Sequence, residues 1–197
     1  MDQIMTRFHQ KSILITGAGG LVGSTLVHML MQENEPNHGS IKIFALGRSR
    51  KQLMQRFARY AGRDDFEIIE GDVSQSISFP GDMKPDFIIH AASPAHPLAY
   101  SKTPADVMRA NLFGTLQMLE LGTTAKARVL FVSSGEIYGS SSDPDKAFRE
   151  TEQGYTDILN PRSCYPESKR AAETLCASYH QQYGTDVVIA RLCHVYG

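Results

Sequence analysis

Tyr165-Pro166-Glu167-Ser168-Lys169 sets a phenol and an ammonium four residues apart. On a helix that spacing puts both side chains on one face, so Lys169 is expected to lie beside Tyr165. A lysine charge there favours phenolate and lowers the phenol pKa from about 10 toward neutrality. Such a phenol suits a general base that removes a hydroxyl proton while hydride leaves the same carbon. The spacing alone arises easily by chance in a chain with 8 tyrosines. Its force comes from Ser133-Ser134-Gly135-Glu136-Ile137-Tyr138-Gly139, which follows the apolar run RVLFVS at 128–133. A serine at that point is placed to hydrogen-bond the reacting oxygen opposite Tyr165; the competing reading is a Ser/Gly turn that only reverses the chain.

A second constellation lies near the start. Thr16-Gly17-Ala18-Gly19-Gly20-Leu21-Val22-Gly23 spaces three glycines as GxxGxxG, between an apolar strand and an apolar helix. Gly17 serves the tight turn, Gly20 lets backbone approach a pyrophosphate, and Gly23 permits close helix–strand packing. Phosphates would then meet free N–H groups at the helix start, where Leu21 and Val22 stand. The acidic residue expected about 20 residues on, gripping a ribose, is missing. Gly47 takes its place, followed by Arg48, Arg50 and Lys51. Arg48 is therefore read as a cofactor contact able to accept a 2′-phosphate, which would favour NADP over NAD; equally, the three cations read as the solvated start of a helix. Asp72, in Gly71-Asp72-Val73, is an expected adenine contact with Val73 beside it, the alternative being a plain loop aspartate.

The elements needed to position these groups are legible as alternating strands and helices. Strands are expected at 12–16, 41–46, 66–70, 86–90, 128–133 and 186–191, with helices at 21–32, 50–60, 103–122 and 164–183. Gly122 and Gly184 read as helix stops. Strands apolar throughout, alternating with helices, predict an α/β fold with a doubly wound parallel sheet, Rossmann-like, in one domain over 1–197. The irregular stretch 140–163 reads as functional or mobile.

With 42% hydrophobic and 21% charged residues in 197, the composition is that of an ordinary globular protein. A formal net charge of −1 with scattered cations excludes a surface built for nucleic acid or anionic lipid. The uncharged run 12–32 is broken by Gly17, Gly19, Gly20 and Gly23 and reads as strand, turn and helix, neither leader nor membrane span. Cys164, Cys176 and Cys193 form no framework, which predicts a reducing, cytoplasmic setting. His90, His96 and His194 share no ligand spacing, so no metal is expected. Arg191 and Tyr196 are read as reaching the cofactor cleft or as serving a strand-end ion pair and core packing.

TGAGGLVG, GDV, IIHAAS, NLFGTLQMLE, SSGEIYG, CYPESKRAAE and RLCHVYG together give a resemblance that covers essentially the whole chain. It resembles the extended short-chain dehydrogenases of the NAD-dependent epimerase/dehydratase kind. HAASPAHPLAY, SSGEIYG and NPRSCYPESKR look particularly like UDP-glucuronate decarboxylases and related nucleotide-sugar enzymes. The resemblance implies Ser134, Tyr165 and Lys169 as the catalytic set and Glu136 as a working glutamate. Gly135 stands where 4,6-dehydratases carry an aspartic acid, which weakens that assignment. Asn111, Ala91, Ala92 and Ser93 are implied as cofactor-cleft residues, along with Tyr165 and Lys169. The implied chemistry is oxidation of a sugar C4 hydroxyl by a retained NAD on a UDP-linked substrate. The implied assembly is a homodimer through helices 103–122 and 164–183. Family members continue into a C-terminal substrate domain, so the chain reads as truncated before it. Two other readings stand beside this one: an NADP-linked reductase of a small carbonyl compound, and a non-catalytic nicotinamide-binding module.

Overall fold

The computed structural model describes residues 6–35, 40–81, 83–141, 143, 145, 147–193 and 195. His194 and Tyr196 lie outside the described residues. Six strands, β1 (Ser12–Thr16), β2 (Lys42–Gly47), β3 (Phe66–Glu70), β4 (Phe87–His90), β5 (Arg128–Ser134) and β6 (Val187–Leu192), form one sheet of order β3-β2-β1-β4-β5-β6. Every neighbouring pair is parallel. The order reverses between β1 and β4, which opens a crevice at the carboxyl ends of the strands.

Among the described residues five α-helices cover the sheet: α1 (Leu21–Asn34), α2 (Arg50–Arg56), α3 (Pro97–Lys102), α4 (Pro104–Ala125) and α5 (Cys164–Tyr183). Because strand side chains alternate between faces, β1 feeds both cores. Ile13 and Ile15 pack with Val27, Met31 and Leu53 from α1 and α2, while Leu14 joins Met118, Leu119 and Ala172 from α4 and α5. A sheet buried on two sides needs the apolar strands that the sequence has. Among the described residues no helix is long and apolar enough to cross a membrane.

The differences from the sequence expectation have local causes. The expected helix 50–60 stops at Arg56, and a 3-10 turn, Ala58–Tyr60, follows. Phe57 and Tyr60 must enter the same core, and a tightened turn brings residues three apart into line. Gly122 does not end a helix. It sits inside α4, pressed on Val129 so closely that a Cβ would overlap that side chain, and α4 runs on to Ala125. Lys126, in the left-handed region at φ 59°, makes the actual stop. Helix α3 was not foreseen: Pro97 opens it, and the His96 ring accepts a hydrogen bond from the Ala99 N–H at 3.2 Å.

Candidate active site

At the carboxyl edge of β1 to β4 lies a cavity of about 460 Å³. The glycine turn forms one wall. Gly17 holds φ +67°, and a Cβ there would stand 2.8 Å from the backbone of Ala91 and Ala92, so the turns after β1 and β4 meet face to face. A Cβ on Gly23 would overlap the Gly17 carbonyl, which locks the start of α1 against the turn. Gly20, Arg48, Asp72, Val73, Ala92 and Ser93 also line this cavity. The cradle accepts backbone-close approach by a phosphate and would be filled by any side chain, so the residues present fit a dinucleotide.

The rim distinguishes the three cations read from the sequence. Arg48 lines the cavity. Arg50 turns back to β3, where its Nη1 donates to the Ile68 carbonyl at 2.9 Å and its backbone N–H donates to Glu70 at 3.0 Å. Lys51 is exposed on α2. Gly47 has a packing role as well, since a Cβ there would come within 3.2 Å of Leu53. Asp72 lines the cavity while accepting from the Ser74 N–H at 2.8 Å, and Val73 packs against Gly114.

A second cavity, of about 580 Å³, adjoins the first, with Ala91 and Ser93 lining both. Leu21 and Val22 form its near side, and Ser134, Glu136, Tyr165 and Lys169 its far side. The strand end explains Ser134: β5 finishes there, its Oγ accepts the Glu136 N–H at 3.2 Å, and a 3-10 turn, Gly135–Tyr138, swings Glu136 outward. Tyr165 and Lys169 share the inward face of α5 near its start, both buried.

Burial raises the Tyr165 phenol above its usual pKa; a hydrogen bond with the Ser134 hydroxyl opposes this, and the Glu136 carboxylate adds to it. Burial lowers Lys169 to about 8. The lysine sits differently from the sequence expectation. Its Nζ donates to the Val132 carbonyl at 2.8 Å and lies 4.6 Å from the centre of the Phe131 ring and 5.9 Å from that of Tyr165. It approaches the phenol's ring and forms no hydrogen bond with its oxygen.

Asn111 reaches neither cavity. It is buried in α4, accepts from the Ser93 hydroxyl at 2.7 Å and donates to Ser168 at 2.8 Å, so it ties the shared wall to α5. His90 is fully buried under the crevice. Its Nδ1 is hydrogen-bonded to Thr16 at 2.7 Å, Nε2 has no partner, and burial together with Lys169 lowers its pKa to about 3. Arg191 serves an ion pair: its Nη2 donates to Glu173 at 2.7 Å, and its Nη1 donates to the Tyr138 hydroxyl at 3.0 Å and the Glu150 carbonyl at 2.7 Å. The irregular stretch after β5 is thereby tied to β6, and Arg170 ties it to α5 through the carbonyls of Ile137 and Gly154.

Sequence reasoning missed Tyr100, Asp106, Arg109 and Arg162. Asp106 and Arg109 line the first cavity and Tyr100 the second. Tyr100 arrives on the unforeseen α3, and its ring stacks on Tyr165 at 4.9 Å. The signal available was HAASPAHPLAY, where Pro97 after a potential capping residue marks a helix start.

The sheet order and glycine crevice define a Rossmann-type chain. Residues 13–197 match the model of the NAD dependent epimerase/dehydratase family, and the chain belongs to that family. It is 37% identical over 197 residues to UDP-glucuronic acid decarboxylase 6 of Arabidopsis thaliana, covering 98% of this chain and 53% of that one. Over 189 residues it is 37% identical to UDP-glucuronic acid decarboxylase 1 of Xenopus tropicalis, covering 95% and 42%. The chain thus spans about half the length of the curated relatives it matches. Its fold is similar to that of UDP-glucuronic acid 4-epimerase from Bacillus cereus in complex with NAD, with a TM-score of 0.71, 23% identity, and coverage of 94% of this chain and 57% of that one.

Proposed function

We propose that this chain is the cofactor-binding and catalytic part of a nucleotide-sugar enzyme that oxidises a sugar C4 hydroxyl, with UDP-glucuronate as substrate. The observation that carries the reading is the meeting of two cavities at Ala91 and Ser93, one built on the glycine turn and the other holding Ser134, Glu136, Tyr165 and Lys169. Relatives named as UDP-glucuronic acid decarboxylases support the substrate class, and they do not favour a reductase of small carbonyl compounds.

Gly17, Gly20, Arg48, Asp72 and Ser93 would hold the dinucleotide. When bound, a nicotinamide supplies hydride acceptance and return. Tyr165 takes the proton of the C4 hydroxyl through its phenolate, and Ser134 hydrogen-bonds the same oxygen as its charge changes. Lys169 brings a buried positive charge under the phenol ring, which favours the ionised base. Glu136 stands at the mouth, suited to proton exchange on the sugar. A ketone at C4 would activate the neighbouring carboxylate at C5 to leave as carbon dioxide, the electron pair passing onto the ketone oxygen and a proton then restoring C5. The protein works as a homodimer through α4 and α5, whose outer surfaces expose Phe113 and Tyr183, in the reducing cytoplasm, in keeping with three unpaired cysteines.

A second reading of the cofactor rests on Gly47 and Arg48. β2 ends in Gly47, which carries no carboxylate of its own, and the Arg48 guanidinium lines the cavity there, which favours NADP.

The test is to mix the chain with NAD and UDP-glucuronate and follow nicotinamide reduction and carbon dioxide release. Reduction that is lost in Tyr165→Phe supports the proposal. Failure of both NAD and NADP to bind at high micromolar concentration would overturn it.

A further inference from the structure

Arg162 stands outside the lining of the second cavity and holds two of the residues that form it. Its backbone is fixed first. Asn160 accepts the Arg162 N–H at 2.9 Å, and Pro161 opens a single 3-10 turn, Pro161–Ser163, that runs straight into α5. The Ser163 hydroxyl donates to the Asp157 carbonyl at 2.6 Å. The arginine is thus set three residues ahead of Tyr165, at a bend that cannot drift without moving the helix start.

From there the guanidinium makes two contacts. Nη2 donates to both oxygens of Glu136, at 3.2 and 3.0 Å. Its flat face lies over the Tyr100 ring, 4.5 Å from the centroid, and the other side of that story is the Tyr100–Tyr165 stack, 4.9 Å between centroids at 30°. One cation therefore binds the carboxylate and the ring that flank the phenol. Only a planar, delocalised cation can do both at once, so lysine is not an equivalent here.

Fold stability does not explain the arrangement. The pair is half in solvent, with side-chain exposures of 52% and 40%, and such pairs contribute about 0–1 kcal/mol. We infer that Arg162 is a positioning residue of this site, which holds Glu136 at the cavity mouth and braces Tyr100 against Tyr165. The inference deepens the function proposed above, because its value to the enzyme depends on Tyr165 being the base.

The electrostatics run the same way. The groups that face the Tyr165 phenol are Tyr100 from α3, Ser134 from the end of β5, Glu136 from the 3-10 turn after it, Arg162 from the turn before α5, and Lys169 from α5 itself. Glu136 makes the phenolate harder to form and Arg162 makes it easier. Without the arginine, the carboxylate at the mouth loses the cation that offsets its charge on both Tyr165 and Tyr100.

The test requires neither sugar nor turnover. Tyrosines carrying carbon-13 at the ring Cζ report ionisation by NMR in the full chain, and the signal absent from Tyr165→Phe identifies the residue. Arg162→Met is expected to raise the Tyr165 midpoint by about 0.5 unit, or about 3-fold less phenolate at a given pH. Glu136→Gln is expected to lower it, and the double variant to return it to near the starting value. If Arg162→Met does not fold, Arg162→Gln carries the same expectation. A midpoint that stays put in the arginine variant, or a double variant that fails to restore it, overturns the inference. A failed turnover assay would instead count against the proposed reaction, leaving this measurement intact.

Discussion

The Lys169 ammonium lies 5.9 Å from the centre of the Tyr165 ring and gives its hydrogen bond to the Val132 carbonyl. The two groups are coupled through charge near a ring, with no proton shared between them. Tyr165→Phe is expected to slow hydride transfer by about 10²–10⁴-fold, the usual value of a positioned acid–base group. Lys169→Met should cost about 10²-fold or more. Single-turnover absorbance of reduced nicotinamide, after mixing with UDP-glucuronate, measures both.

Burial of the same lysine has a signature in stability. Unfolded, Lys169 keeps its proton up to about 10.5; folded, it releases it near 8. The unfolded chain therefore binds more protons between these values, and the lysine's contribution to stability rises with pH across that window. His90 acts in acid. Its folded pKa is held near 3 against 6.5 when unfolded, so acidification below 6.5 protonates only the unfolded chain. Stability is expected to fall by about 1.4 kcal/mol per pH unit from this residue until roughly pH 3. Urea midpoints from pH 7 to 4, compared with His90→Asn, would show the acid slope shrinking in the variant.

Two glycine contacts separate binding from folding. Gly23→Ala forces a methyl group into the Gly17 carbonyl, and is expected to cost about 1–3 kcal/mol and abolish dinucleotide binding. Gly122→Ala drives a methyl group into Val129, far from the crevice. It should cost a similar amount while leaving binding intact at temperatures where the chain stays folded. Fluorescence titration with NADH, alongside thermal unfolding, distinguishes the two.

Cofactor choice is expected to follow the end of β2. Arg48→Ser should weaken NADP binding about 10-fold or more and leave NAD nearly unchanged, since a phosphate-binding arginine touches only the phosphorylated form. Gly47→Asp should favour NAD, provided Leu53, 3.2 Å from the new Cβ, yields a few tenths of an ångström. Equal loss of both cofactors in Arg48→Ser would show that the arginine serves the shared part of the ligand.

The fold was legible wherever period and punctuation agreed. β1, β3 and α5 have the bounds read from the sequence, because apolar runs there end at glycines or charged residues. Gly122 misled because a glycine that lets a helix approach a strand looks the same in one dimension as a glycine that ends a helix. The glycine turn and Tyr165–Lys169 were readable as local spacings. For Tyr100 and Arg162 only the turns that carry them had local signals, at Pro97 and Pro161; their link to the site comes from stacking contacts with residues 65 and 62 positions away. Asn111 was visible as a polar residue on a helix, but only three-dimensional packing shows that both its hydrogen bonds point into protein, at Ser93 and Ser168.

One edge strand of the sheet, β6, pairs with β5 alone among the described residues and carries Val188 and Ile189 at 45% and 38% exposure. A bare margin of this kind, apolar and extended, is a template on which another polypeptide can zip. Handled by itself, the 197-residue chain should therefore show light scattering that climbs with protein concentration, and a single lysine at position 189 should flatten that climb while leaving the glycine crevice untouched.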